Sequence, residues 1–200
     1  MNGNRSFIGR ATLPALLLLL SIVAQGCLIA DKKIVTYTVE PDGTGSGTIL
    51  YTNLKSMEDQ DEDVSLIDYR YLVEEWLHGD TVEVQYPLYR NVKKRLYSVG
   101  NALIGEITFT FDHYAQVGLY RHEEKGPYMY YTNLETSNVQ FYDTSNGSIG
   151  SPMMPILFWP AETKSFTIVN IFDHGERPTH SLNGLFKKLG TDLSRSGEDD

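Results

Sequence analysis

Two tripeptides, Phe111-Asp112-His113 and Phe172-Asp173-His174, each close an apolar run with a carboxylate beside an imidazole. Zinc accepts that donor set in a tetrahedral site, and the same pair can take and return a proton. If the two runs lie side by side with their ends aligned, Asp112, His113, Asp173 and His174 converge, and a metal-assisted hydrolase becomes the alternative function. A strand-ending Asp is equally a turn former, and the sequence does not fix the register. A second chemistry resides in the aromatic stretches Tyr128-Met129-Tyr130-Tyr131 and Phe158-Trp159. Tyr128, Tyr130 and Trp159 could wall a ligand pocket, offering flat apolar faces that carry polar tips. Tyr is also a favoured residue of half-exposed strands.

Other patterns fail at defined positions. The acidic run Glu58–Asp63 alternates Asp59, Asp61 and Asp63 as a calcium loop does, but Val64 and Arg70 stand where an EF-hand needs Gly and a bidentate Glu. Acidic side chains also gather at the positive end of a helix dipole, which is the simpler reading of this run. Gly43-Thr44-Gly45-Ser46-Gly47 joins two strand patterns rather than a strand and a helix, so it is a turn and not a phosphate cradle. No GxSxG elbow is present. Without a complete catalytic motif, the chain reads as a binding or structural component rather than an enzyme.

The elements that must position these residues are mostly strands. Lys33–Glu40 alternates with Val35, Tyr37 and Val39 on one face, and Thr48–Asn53 returns as its hairpin partner. Asn91–Ser98 and Ala102–Phe111 form a second hairpin about Gly100-Asn101. Short strands are expected at 117–121, 128–132, 139–142 and 156–159. Ser165–Phe172 is apolar on both faces, as an interior strand covered on two sides would be. Val64–His78 carries Leu66, Tyr69, Val73, Trp76 and Leu77 at helical spacing, and Gly79 follows. The expected fold is α+β: one antiparallel sheet of about seven to eight strands with one main helix packed on a face. The basic knot Lys93-Lys94-Arg95 reads as solvated edge charge.

Composition narrows the partners. The chain has 200 residues, a formal charge of −9 and a single Cys. One Cys excludes an internal disulfide and a zinc site of paired thiolates. The acidic balance argues against nucleic acid as a partner.

That Cys lies at the end of an export segment. Arg5 and Arg10 precede the apolar run Ala11–Ala24, and the run closes in Val23-Ala24-Gln25-Gly26-Cys27. Fourteen residues are short of the roughly 20 that span a bilayer, so the segment has the form of a cleaved signal. Here the sequence resembles a bacterial lipoprotein precursor, whose lipobox sets a small residue before an obligatory Cys. The resemblance implies cleavage between Gly26 and Cys27, acyl chains such as palmitate on Cys27 and no other cofactor. With Leu28 after the Cys, it implies the outer membrane rather than the inner. Two or three chains, at about 0.8 kcal/mol per buried methylene, hold a protein on a membrane where one does not. The expected organisation is a signal peptide over 1–26, a tether over 27–33, one domain over 34–190 and a polar tail over 191–200. The expected partners are the membrane, through the acyl chains, and an envelope protein or a small apolar ligand.

Overall fold

The computed structural model describes residues 28–132, 139–143, 146–151 and 154–191. The signal segment, Cys27 and the tail beyond Thr191 lie outside the described residues. In chain order the strands are β1 (Leu28–Ile29), β2 (Lys32–Val39), β3 (Gly45–Thr52), β4 (Lys55–Met57), β5 (Arg90–Val99), β6 (Ala102–Phe111), β7 (Leu119–Tyr120) and β8 (Tyr128–Tyr131). They continue as β9 (Val139–Asp143), β10 (Ser148–Ser151), β11 (Met154–Trp159), β12 (Ser165–Phe172) and β13 (Thr179–Ser181). Helix α1 (Ser65–Tyr71) runs on as a π-helix over Leu72–His78, and α2 (Thr81–Gln85) and α3 (Asn183–Leu189) are short.

The α+β class and the antiparallel pairing hold, but the single large sheet does not. The strands divide into three sheets, in the orders β5-β6-β3-β2-β12-β9, β10-β11-β8-β7 and β1-β4-β13. The reason is burial. Sequence alternation shows that a strand has an apolar face but not which surface covers it. Here Leu119, Tyr128, Leu157 and Trp159 of the four-stranded sheet pack with Val35, Tyr37, Ile49, Ile107, Phe109 and Phe166 of the six-stranded one. Edge-to-face contacts carry the junction, with the Phe166 ring 4.8 Å from Tyr128 and 5.4 Å from Trp159.

The inner face of the six-stranded sheet therefore has two covers. The four-stranded sheet lies over one end. Over the other, Tyr69, Leu72 and Val73 of the long helix meet Leu54 and Leu103 in a second cluster. Side chains buried this completely contribute about 1.5–3 kcal/mol each. The helix matches its expected span, yet its buried stripe is Tyr69, Leu72 and Val73, and Leu66 is left exposed. Gly79 ends it where a Cβ would stand 2.5 Å from the Glu75 carbonyl oxygen. Lys94 donates to the Gly79 carbonyl at 2.6 Å and pairs with Glu83 at 2.9 Å, so it neutralises a helix end rather than standing in solvent. Among the described residues no helix is long and apolar enough to cross a membrane.

The stretch 28–33, expected as part of a tether, carries strand structure. Leu28 pairs with Ser56 in the three-stranded sheet, and β2 has begun by Lys32. The turn between β2 and β3 is shorter than its glycines suggested, because Gly45 and Gly47 belong to β3.

Candidate functional site

Strand direction decides the histidines. β12 is antiparallel to β2, β2 to β3, and β3 to β6, so β6 and β12 run in opposite senses. Phe111 ends its strand opposite Gly45, whereas the Phe172 N–H donates to the Asp31 carbonyl at 3.1 Å, at the far end of the sheet. Asp112–His113 and Asp173–His174 are thus a strand length apart, roughly 20–25 Å. The shared metal centre expected of Asp112, His113, Asp173 and His174 is not assembled. Among the described residues no group of three or more His, Cys, Asp or Glu side chains is placed to hold a metal.

Each half of that set has a local role. His113 Nδ1 accepts from the Ala115 N–H at 3.2 Å, capping a 3-10 turn, and its ring lies 4.1 Å from that of Tyr114. Asp112 faces Arg90 at 3.7 Å with both side chains exposed. The Asp173 carboxylate accepts from the Gly175 N–H at 2.9 Å, as a turn former does. His174 turns inward, where its Nε2 is buried without a hydrogen-bond partner, 3.4 Å from an Asp31 oxygen. Asp31 itself is held by Lys55 at 2.7 Å and Asn53 at 2.6 Å. Burial opposes the Asp31 charge, and those two donors more than offset it, so its carboxyl titrates below the usual range.

The aromatic candidates divide similarly. Trp159 is a core residue, 1% exposed, with its indole N–H donating to Asn146 at 3.0 Å. Tyr128 is buried beneath Arg121, whose guanidinium lies 4.3 Å from the ring centroid. It lines a cleft of about 420 Å³ at the Gly43–His113 end of the sheet, a mixed polar surface of loops. Tyr130, in phase with Tyr128 on β8, packs against the main cluster from the partly buried side.

An apolar pocket lies at the opposite end. It measures about 290 Å³ and is lined in part by the first described residues, Leu28, Ile29 and Ala30. Tyr51 and Leu54 supply one wall, Leu72 and Trp76 of the π-helix another, and Phe172 and His174 close it. The Trp76 and Tyr51 rings meet edge to face at 6.1 Å. Both also touch the two core clusters, which makes the pocket the seam between the two covers of the sheet.

Behind Tyr51 stands a feature that the strand pattern concealed. Lys33 lies opposite Tyr51 on one side and Asn170 on the other, in a single cross-strand row. Its Nζ sits 5.6 Å from the Tyr51 ring centroid and 5.9 Å from that of Tyr86. Tyr86 stacks on Tyr89 at 4.8 Å, and Tyr89 on Phe109 at 3.7 Å. Burial disfavours the Lys33 ammonium, but the surrounding phenol oxygens of Tyr51, Tyr86, Tyr130 and Tyr89 outweigh it and raise its pKa. Burial chiefly, then the neighbouring phenols, lifts Tyr37 well above its ordinary value and Tyr89 to about 12. Among the described residues Lys33 has no carboxylate within ion-pair distance, and Asn170 Oδ1 is buried with no hydrogen-bond partner.

Neither residue was singled out from the sequence, although a signal was present. Lys33 is in phase with Val35, Tyr37 and Val39, and Asn170 with Phe166, Ile168 and Phe172. A lone polar side chain in register with an apolar face marks an interior polar position. No family model, curated protein or solved structure matches the chain.

Proposed function

We propose that the chain is a lipid-anchored protein of the cell envelope, held on the outer membrane by acyl chains on Cys27, with a non-catalytic body that binds a small apolar ligand. One observation carries the binding half: the apolar pocket of about 290 Å³ is lined in part by Leu28, Ile29 and Ala30, which follow Cys27 directly in the sequence. A greasy cavity beside the bilayer draws on the most abundant apolar molecules of that compartment. The lipobox around Gly26 and Cys27 supports the anchor half.

Growth of the producing cell with radiolabelled palmitate tests the anchor. Wild-type protein becomes labelled and partitions with membranes, whereas Cys27→Ser is unlabelled. Unlabelled wild type overturns the anchor. Binding is tested separately, by titrating apolar ligands while following the fluorescence of Trp76 in the pocket wall.

A further inference from the structure

The Lys33 row says what kind of head group the pocket ligand carries. A buried ammonium is ordinarily matched by a carboxylate, because removing an unpaired charge from water is expensive. Lys33, partly buried, instead shares a hydrogen bond with the neutral Tyr51 phenol and lies beside the Tyr86 ring, contacts that solvate the ammonium in part and cannot cancel its charge. Beside it Asn170 has an amide with an unused oxygen. Half a turn about its last torsion exchanges oxygen for NH2 in the same space, so the amide can donate as readily as it accepts. An ammonium, a phenol and an amide in one row are the donor set for an oxyanion.

The row and the pocket are joined through one side chain. Tyr51 forms part of the pocket wall and lies against Lys33 Nζ. We propose that the pocket takes a single-chain amphipath with an acidic head, its chain against Leu28, Leu54, Leu72 and Trp76 and its carboxylate turned toward Tyr51, Lys33 and Asn170. The proposal rests on the ligand-binding function assigned to the pocket and adds its ligand class, a fatty-acid-like anion. A cavity of about 290 Å³ lies at the small end of ligand pockets, which favours one slender chain over a two-chain lipid. Charge complementarity then selects the acid over the equally apolar alcohol.

The test uses the full chain in phosphatidylcholine nanodiscs, with empty nanodiscs to correct for partitioning. Laurate and dodecanol share a chain length and differ in head charge. Wild type is expected to bind laurate about tenfold more tightly than dodecanol, the scale of one well-placed charge-assisted contact. Lys33→Met is expected to bring the two affinities together by weakening laurate alone. Asn170→Asp supplies an internal counter-ion for Lys33 and is expected to act in the same direction without leaving that lysine unpaired, so it serves where Lys33→Met does not fold. Equal affinities in wild type, or an unchanged preference in the variants that fold, overturn the acidic head group and leave apolar binding standing. If neither amphipath binds, both fall.

Discussion

Gly47 and Phe109 occupy the same space from neighbouring strands: a Cβ on Gly47 would stand 2.3 Å from Phe109 Cζ. The two residues are directly paired across β3 and β6, and the same relation recurs at Gly45 and Phe111, where the distance would be 2.4 Å. The rings lie over the bare backbone of β3 and fill the inner face that its glycines leave empty. Gly47→Ala is therefore expected to lower stability by about 1–3 kcal/mol, the usual cost of forcing an extra methyl into a packed interior. Urea unfolding measures this directly, and a midpoint equal to that of wild type would refute the packing.

Ser56 and Asp68 fasten the three-stranded sheet to the long helix. Both are buried, and the Ser56 hydroxyl donates to the Asp68 carboxylate at 2.6 Å. Ser56→Ala removes one donor from a carboxyl group that is shut away from water. The expected loss is about 1–3 kcal/mol, again by denaturant titration.

Leu72 is 1% exposed and lines the pocket from the π-helix. Leu72→Ala is expected to cost about 2–5 kcal/mol and to enlarge the pocket toward the helix. Bound ligand should then restore part of the lost stability, seen as a larger rise in melting temperature with laurate than wild type shows.

Glu106 gives the fold an acid-sensitive element. Arg95 donates to its two carboxylate oxygens at 2.7 and 2.8 Å, and the Tyr97 hydroxyl donates at 3.2 Å. The Arg95 hydrogen bonds hold the Glu106 carboxyl below its ordinary value of 4.5, against the opposing effect of burial. A carboxylate whose folded pKa is depressed stabilises the fold above the unfolded value and loses that contribution as pH falls through the folded one. The Arg95 side chain is 66% exposed, so solvent screening keeps the contribution of the pair small. Glu106→Gln should be slightly less stable than wild type at pH 7 and lose that difference as pH falls through the depressed folded value. A constant difference across that range would show that the charge is not the cause.

The strands whose sequence alternates were legible, and so was the helix. Asn91–Ser98 and Ala102–Phe111 became β5 and β6 within a residue or two, and Val64–His78 became α1 with its π continuation. Local periodicity sets such elements. Strands of two or three residues such as β1 and β4 carry too few residues to show a period, and α2 is only five residues long. The site was hidden for a different reason. A shared metal centre required β6 and β12 to run the same way, and their relative sense depends on β2 and β3 pairing between them, which no motif in either strand encodes. Lys33 and Asn170 were visible as phase-matched polar residues, but only the pairing of β2 with β12 sets them side by side.

The opposed ends of the six-stranded sheet give the molecule a polarity. Were Cys27 to carry the lipid proposed above, the loops at Gly43 and His113 would stand a strand's length from the headgroups, on the order of 25 Å. The sheet would then act as a stalk whose crown, with Arg121 and Lys125 set among Glu40, Glu124 and Glu162, is what a macromolecule arriving through the aqueous space would meet first.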